Sequence, residues 1–201
     1  MARYTGPKNK LNRKIGEDLG VKANALKTAR RLAIRPGQHG ARGRRKLSDY
    51  GTQLQQKQKL KYIYGILEKQ LRRVYDEAAH QTTATGATML SYLERRLDNM
   101  IYRLGWAPTR AAARQLVSHR HVLVNGKKLN IPSYRVNPGE VITLDKSAMK
   151  IPAIAEQIEK AVVTAEWLEQ KAGKGRMTRL PNREDIRETI DEQLVVEYYS
   201  R

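Results

Sequence analysis

The first 48 residues carry no sustained hydrophobic rhythm; only Val21, Ala25, Ala29 and Leu32 recur at near-helical spacing, predicting a short helix between residues 21 and 34. From Thr52 to Gln81 the pattern becomes periodic, with Leu60, Ile63, Leu67, Leu71, Val74, Tyr75 and Ala78 on one stripe of an amphipathic helix. Thr52 and Gln55 resemble a capping box, and Ser48 offers an earlier start. After a break at residues 82–86, a second helix carries Leu90, Leu93, Leu97, Met100, Ile101 and Leu104 inward and ends at Gly105. A third starts at the N-cap Thr109 and faces Ala112, Ala113, Leu116 and Val117 inward.

At Val122 the period falls to two. Alternating apolar residues around Asn125-Gly126 predict a tight hairpin, Asn137-Pro138-Gly139 a further turn, and Val141–Leu144 another strand. Two helices against a small antiparallel sheet make this segment an α+β module. The last quarter reads as a helix around Ile154 to Glu169, a turn at Gly173-Lys174-Gly175 and a short strand from Met177 to Leu180. A charged helix from Pro181 to Ile186 and a strand-like run from Leu194 to Arg201 follow.

Composition narrows the possible functions. The 201 residues include 39 Lys plus Arg against 20 Asp plus Glu, a formal charge of +19, and no cysteine. Such a length buries a core without staples, and the missing cysteines exclude disulfides, thiolate metal sites and thiol catalysis. No apolar run approaches the roughly 20 residues of a membrane span, and Met1–Pro7 lacks the apolar region of a secretory signal, so an intracellular protein with no membrane partner is expected. The charge is uneven: +11 over residues 1–50, +3 over 51–90, +5 over 91–145 and zero over 146–201. That excess exceeds what solubility requires and points to a polyanion, nucleic acid first. The neutral last quarter is expected to be structural or protein-facing.

The candidate contacts follow the charge. Arg3, Lys8, Lys10, Arg13, Lys14, Lys22, Lys27, Arg30 and Arg31 are interrupted only by Glu17 and Asp18, in a segment too poor in apolar groups to offset chain entropy; an extended arm that orders on its partner is expected. A breaker-rich loop follows, in which Arg42, Arg44, Arg45 and Lys46 accompany glycines that let a backbone approach phosphates, with His39 as a hydrogen-bonding loop residue. Lys57, Lys59, Lys61, Lys69, Arg72 and Arg73 line the polar side of the first long helix, as RNA contacts or as a solvated face. Arg110 and Arg114, four apart, are placed to straddle phosphates; Arg95, Arg96, Lys127 and Lys128 would fix the module to the backbone. Arg103, Thr109, Asn125, Gly126 and Tyr50 complete the candidate set, and Tyr4, Tyr62 and Tyr64 are further aromatics for stacking on bases or packing on helices. No P-loop, triad or metal cluster is legible, so neither a small-molecule substrate nor a cofactor is expected.

Longer motifs carry a resemblance. Ala2-Arg3-Tyr4-Thr5-Gly6-Pro7, Pro36-Gly37-Gln38-His39-Gly40, Lys46-Leu47-Ser48-Asp49-Tyr50-Gly51, Leu93-Glu94-Arg95-Arg96-Leu97-Asp98-Asn99, the stretch from Thr109 to His119, Val124-Asn125-Gly126 and Tyr199-Ser200-Arg201 are similar, in collinear order, to the bacterial-type small-subunit ribosomal protein S-four family. The resemblance implies a mainly helical domain at residues 49–90, closed by 176–201, with an RNA-binding module and following helix at 91–175 inserted and a basic arm and loop at 1–48. It implies direct, early binding to 16S-type ribosomal RNA, nucleation of subunit-body assembly, and a part in translational accuracy beside proteins S-five and S-twelve near the messenger entry path. Cytoplasm, or an organelle with its own ribosomes, is the implied location. Many relatives hold zinc through arm cysteines, the first two as Cys-x-x-Cys; here Asn9 and Asn12 stand at those places, so no metal is expected.

Two other readings compete. Arg96-Leu97-Asp98 matches a short catalytic stretch of pseudouridine synthases, although Leu97 lies on a core stripe and Asp98 then reads as a helix-surface carboxylate. Residues 90–104 and 109–119 would also suit a helix-turn-helix DNA regulator. Uridine isomerisation and competition by duplex DNA separate these from ribosomal RNA binding.

Overall fold

Side-chain caps set several of the helix starts: Asn24, Ser48, Thr109 and Asp191 accept from the backbone N–H of Lys27, Gly51, Ala112 and Gln193 respectively. The computed structural model describes residues 3–42, 46–160, 165–171 and 173–201. In chain order its elements are α1 (Lys8–Ile15), α2 (Ala25–Leu32), α3 (Asp49–Tyr64), α4 (Glu68–Ala79), α5 (Thr85–Glu94), α6 (Leu97–Arg103) and α7 (Arg110–Ser118). There follow β1 (Val122–Val124), β2 (Lys127–Lys128), β3 (Val141–Leu144), α8 (Lys146–Met149), α9 (Pro152–Lys160), β4 (Leu168–Lys171), β5 (Lys174–Met177) and α10 (Glu192–Ser200). Two compact units result: a helical unit, Met1–Met89 with Glu188–Arg201, and a sheet unit, Leu90–Arg187. The α+β class expected from the pattern is observed.

Within the helical unit the basic N-terminal segment is folded rather than extended. Leu11, Ile15 and Leu19 are buried, and the Arg13 guanidinium donates to the carbonyls of Ile34 (2.7 Å) and Arg35 (3.0 Å), tying α1 to the chain beyond α2. The short helix forms as expected but turns Thr28 inward, leaving Ala25 and Ala29 exposed. The single helix predicted from Thr52 to Gln81 is two, because Gly65 adopts φ 61° and its N–H returns to the end of α3. Ser48, not Thr52, is the cap. The apolar stripe survives the break: Leu60, Ile63, Leu71, Val74 and Ala78 are all buried.

The strand-like C-terminal run is the helix α10. Its β-branched and aromatic residues suggest a strand, but the Asp191 cap and the burial of Val195 and Tyr199, four apart, select the helix, which packs on α3. A side chain at Gly86 would meet Glu192 Cγ at 2.7 Å, so glycine is what admits α10 there.

In the sheet unit the predicted helix from Leu90 to Leu104 also breaks. Arg96 is extended and bridges to Arg135, while Leu97 N–H donates to Tyr134 O and Val136 N–H to Arg95 O. All six stripe residues are nevertheless fully buried. The antiparallel sheet has the order β2-β1-β3-β5-β4, and the hairpin turns at Asn125 (φ 49°) and Gly126 (φ 78°) with Val124 opposite Lys127. Of the helix expected to run to Glu169, α9 ends at Lys160, and Leu168 and Glu169 lie in β4. Gly173 makes the turn, whereas Gly175 is inside β5, where a side chain would strike Leu104. Arg176 and Met177 therefore complete this sheet rather than open the closing segment of the helical domain. Pro181–Ile186 holds only a single 3₁₀ turn, Arg183–Asp185. Trp106, Trp167, Met177 and the stripe residues from Leu97 to Leu104 and of α7 form one core.

The helical unit has an acid-sensitive joint at Glu68. Burial works to raise this carboxyl, but hydrogen bonds from Lys57, Tyr199 and Lys61 outweigh it and hold the group below the usual carboxylate range. Its contribution to stability is therefore complete above the ordinary carboxylate pKa and is lost as pH falls through the lower folded value. Chemical unfolding followed by far-UV circular dichroism is expected to show the wild-type chain losing more stability than Glu68→Gln between about pH 5 and pH 3.

Candidate nucleic-acid interface

Cations of the N-terminal segment remain largely at the surface. Arg3, Lys10, Lys14, Arg30, Arg31, His39, Arg42, Lys46 and the Tyr50 ring are exposed, while Arg44 and Arg45 lie outside the described residues. Lys8 is half-buried, and its ammonium is held below the ordinary lysine range by burial and by repulsion from Arg3 and Lys22. Three cations thus converge at the start of α1. Lys22, one of the arm cations expected to meet the polyanion, is exposed.

On α3 the expectation fails at two positions. Lys57 and Lys59 are each only 4% exposed. Lys57 Nζ lies 2.8 Å from Glu68 and 4.5 Å above the Tyr198 ring, and Lys59 pairs with Glu17 and donates to Thr189 Oγ1 at 3.0 Å. Both sit off the apolar stripe, but α1 and α10 also pack on α3, so its polar side is covered as well. Arg72 and Arg73 stay exposed, Arg72 paired with Asp76 one turn on. Tyr64 is buried in the unit, Tyr62 is half-buried, and Tyr4 keeps an accessible ring.

The arginines expected to straddle phosphates are turned inward too. Arg96 grips Asp98 with two hydrogen bonds, of 3.1 and 2.8 Å, and Arg114 reaches the same carboxylate at 3.6 Å. Arg103 holds Glu94 in the same bidentate way, and Asn99 links that cluster to Arg110, whose guanidinium lies 4.5 Å above Tyr102. Arg96, Arg110 and Arg114 are buried. The spacing of Arg110 and Arg114 does put them on one face of α7, but that face meets the buried carboxylates of α5 and α6. Thr109 is a helix cap at the buried start of α7. Asp98 is buried at 4% exposure, not a surface carboxylate, and both its oxygens are engaged by Arg96, which leaves no group for uridine chemistry. The same inward turn removes α7 as a DNA recognition helix.

What this unit presents outward is different. Arg95 donates to Val136 O and Asn137 Oδ1, and burial together with nearby Arg135 lowers its pKa; Arg135 in turn lies 4.3 Å above the Tyr92 ring. Asn125 Oδ1 accepts from Val141 N–H, fixing the turn, and Gly126, Lys127 and Lys128 are exposed at its tip. Lys128 meets Asp145 at 3.0 Å, and hydrogen bonds from Ser147 and Lys128 hold that carboxyl below its usual range. Nothing in the sequence singles out Arg135, because the Asn137-Pro138-Gly139 turn gives no cue that this residue is bridged to Arg96.

Removing Asp98 leaves buried guanidinium groups uncompensated. Asp98→Ala is expected to cost about 3–5 kcal/mol, read as a lower melting point in tryptophan fluorescence, which reports this unit because both tryptophans lie in it. At the place where relatives are expected to carry the first zinc cysteines, Asn12 is fully buried and donates to Asp18 Oδ1 at 3.0 Å, so an amide already bonded within the fold replaces a thiolate ligand. Elemental analysis of the purified chain is expected to find no stoichiometric zinc, and one zinc per chain would overturn this reading.

Residues 3–94 match the family described as Ribosomal protein S4/S9 N-terminal domain, and residues 95–142 match the S4 domain. The chain is 47% identical to small ribosomal subunit protein uS4 of Brevibacillus brevis, 49% to that of Hahella chejuensis and 48% to that of Parabacteroides distasonis, each alignment covering 100% of both chains. Two collinear domain matches and full-length identities near one half place this chain among structural proteins rather than enzymes: it belongs to the uS4 family of small ribosomal subunit proteins.

Proposed function

We propose that this chain binds 16S-type ribosomal RNA directly, as a structural constituent of the small subunit in the cytoplasm. It joins the RNA early, helps nucleate the subunit body, and supports translational accuracy beside proteins S-five and S-twelve near the path of messenger RNA. The observation that carries the reading is the sorting of positive charge. Lys57, Lys59, Arg96, Arg103 and Arg114 are consumed by carboxylates inside the two units, while most of the described cations of the first 48 residues, and those of the β1–β2 turn, remain at the surface. Structured RNA hides its base edges in a deep, narrow groove and exposes phosphates and 2′-hydroxyls, so dispersed surface cations suit it better than a single recognition helix would. The contacts proposed for RNA are accordingly Arg3, Lys8, Lys10, Lys14, Arg30, Arg31, Arg42, Lys46, Arg72, Arg73, Arg95, Lys127 and Lys128, with Tyr50 available for stacking.

Filter binding of a full-length small-subunit rRNA transcript across a potassium chloride series tests this. Neutralising about eight phosphates gives a slope of log affinity against log salt near −6 to −7. A slope shallower than about −2, or equal affinity for duplex DNA at matched salt, would sink it. Lys127→Ala is expected to flatten the slope by about 1 while changing stability by less than about 0.5 kcal/mol.

A further inference from the structure

We propose that Arg120, at the corner between α7 and β1, is an RNA-phosphate contact that the fold retains at the expense of its own stability. The inference rests on the rRNA-binding reading above and adds a contact to it. At the end of α7, Arg120 N–H donates to Val117 O (3.0 Å) and His121 N–H to Leu116 O (3.1 Å). That pair of bonds closes a helix through a residue in the left-handed region, where glycine is the usual occupant because a Cβ is disfavoured. Arg120 has φ 62°.

Elsewhere the described residues follow the glycine preference. Helices α1 and α3 both end on left-handed glycines, Gly16 and Gly65. Among the described residues, the other non-glycine with positive φ is Asn125, of a type that tolerates this region. An arginine here gains nothing visible in exchange. Its side chain is exposed, and no hydrogen bond, ion pair or ring contact to it occurs among the described residues.

Its surroundings suit an anion. His119 is exposed and His121 half-exposed, with their rings 6.2 Å apart on either side of Arg120, offering imidazole N–H donors. Asp145, whose N–H bonds to His121 O, has its carboxylate already engaged by Lys128 and Ser147. A guanidinium fork matches two oxygens of a phosphodiester, which makes Arg better suited to this position than a point charge.

Two substitutions separate strain from binding. Arg120→Gly is expected to raise the melting point of the sheet unit, followed by tryptophan fluorescence, by about 2–6 °C. The same variant should bind a full-length small-subunit rRNA transcript about three- to tenfold more weakly, with a salt slope shallower by about 1. Arg120→Lys should melt with the wild type and bind RNA more tightly than Arg120→Gly but more weakly than the wild type. A glycine variant that binds RNA like the wild type overturns the proposal, as does one whose melting point fails to rise. If instead the wild-type chain shows no preference for the rRNA transcript over duplex DNA, the rRNA reading itself has failed and this contact falls with it.

Discussion

Buried positive charge must be neutralised, and in a chain of net charge +19 that requirement organises both units. Glu68 in the helical unit and Glu94 in the sheet unit each accept hydrogen bonds from more than one side chain, and Asp98 accepts two from Arg96 with Arg114 3.6 Å away. Asp98 and Glu94 sit at the break between α5 and α6, where the backbone leaves the helix to pair with the strand-like segment around Arg135. The ion pairs therefore hold in place a helix break that propensity alone would not produce. Glu68 does the same for the C-terminal helix, because Tyr199 of α10 and Lys57 of α3 both end on it.

A consequence is that basic residues of identical type have opposite uses. Arg114 is part of the core of the sheet unit, and Lys127, thirteen residues later, is solvent-exposed at a hairpin tip. Loss of the first is expected to be a folding defect, whereas loss of the second, on the function proposed above, is expected to be a binding defect. Overall charge reports the partner class, whereas the local supply of carboxylates decides which cations are left to meet it. The N-terminal segment illustrates this: Glu17 is drawn into an ion pair with Lys59 and Asp18 into a hydrogen bond with Asn12, so most of the surrounding arginines and lysines stay outward.

Much of the local structure was legible. The Asn125-Gly126 hairpin, the Thr109 cap and the six-residue core stripe from Leu90 to Leu104 all follow from patterns of two, or of three and four, that burial then enforced. Less legible were the places where a tertiary partner interrupts a good local pattern. The break at Arg96 depends on carbonyl and amide partners near residues 132–136, and the helical state of the final residues depends on α3 as a packing surface. The strand β4 was read as helix because Leu168 and Glu169 continue a plausible helical period and only pairing with β5 selects the extended state.

By itself the sequence determined the α+β class, the polyanion-binding character, the absence of a thiolate metal site and the positions of the main core stripes, because these depend on composition and on nearest-neighbour periodicity. Tertiary structure decided which cations face outward. The direction of Arg110, Arg114, Lys57 and Lys59 is set by carboxylates and helices distant in sequence, and an ion pair between residues far apart in sequence leaves no periodic trace in the chain.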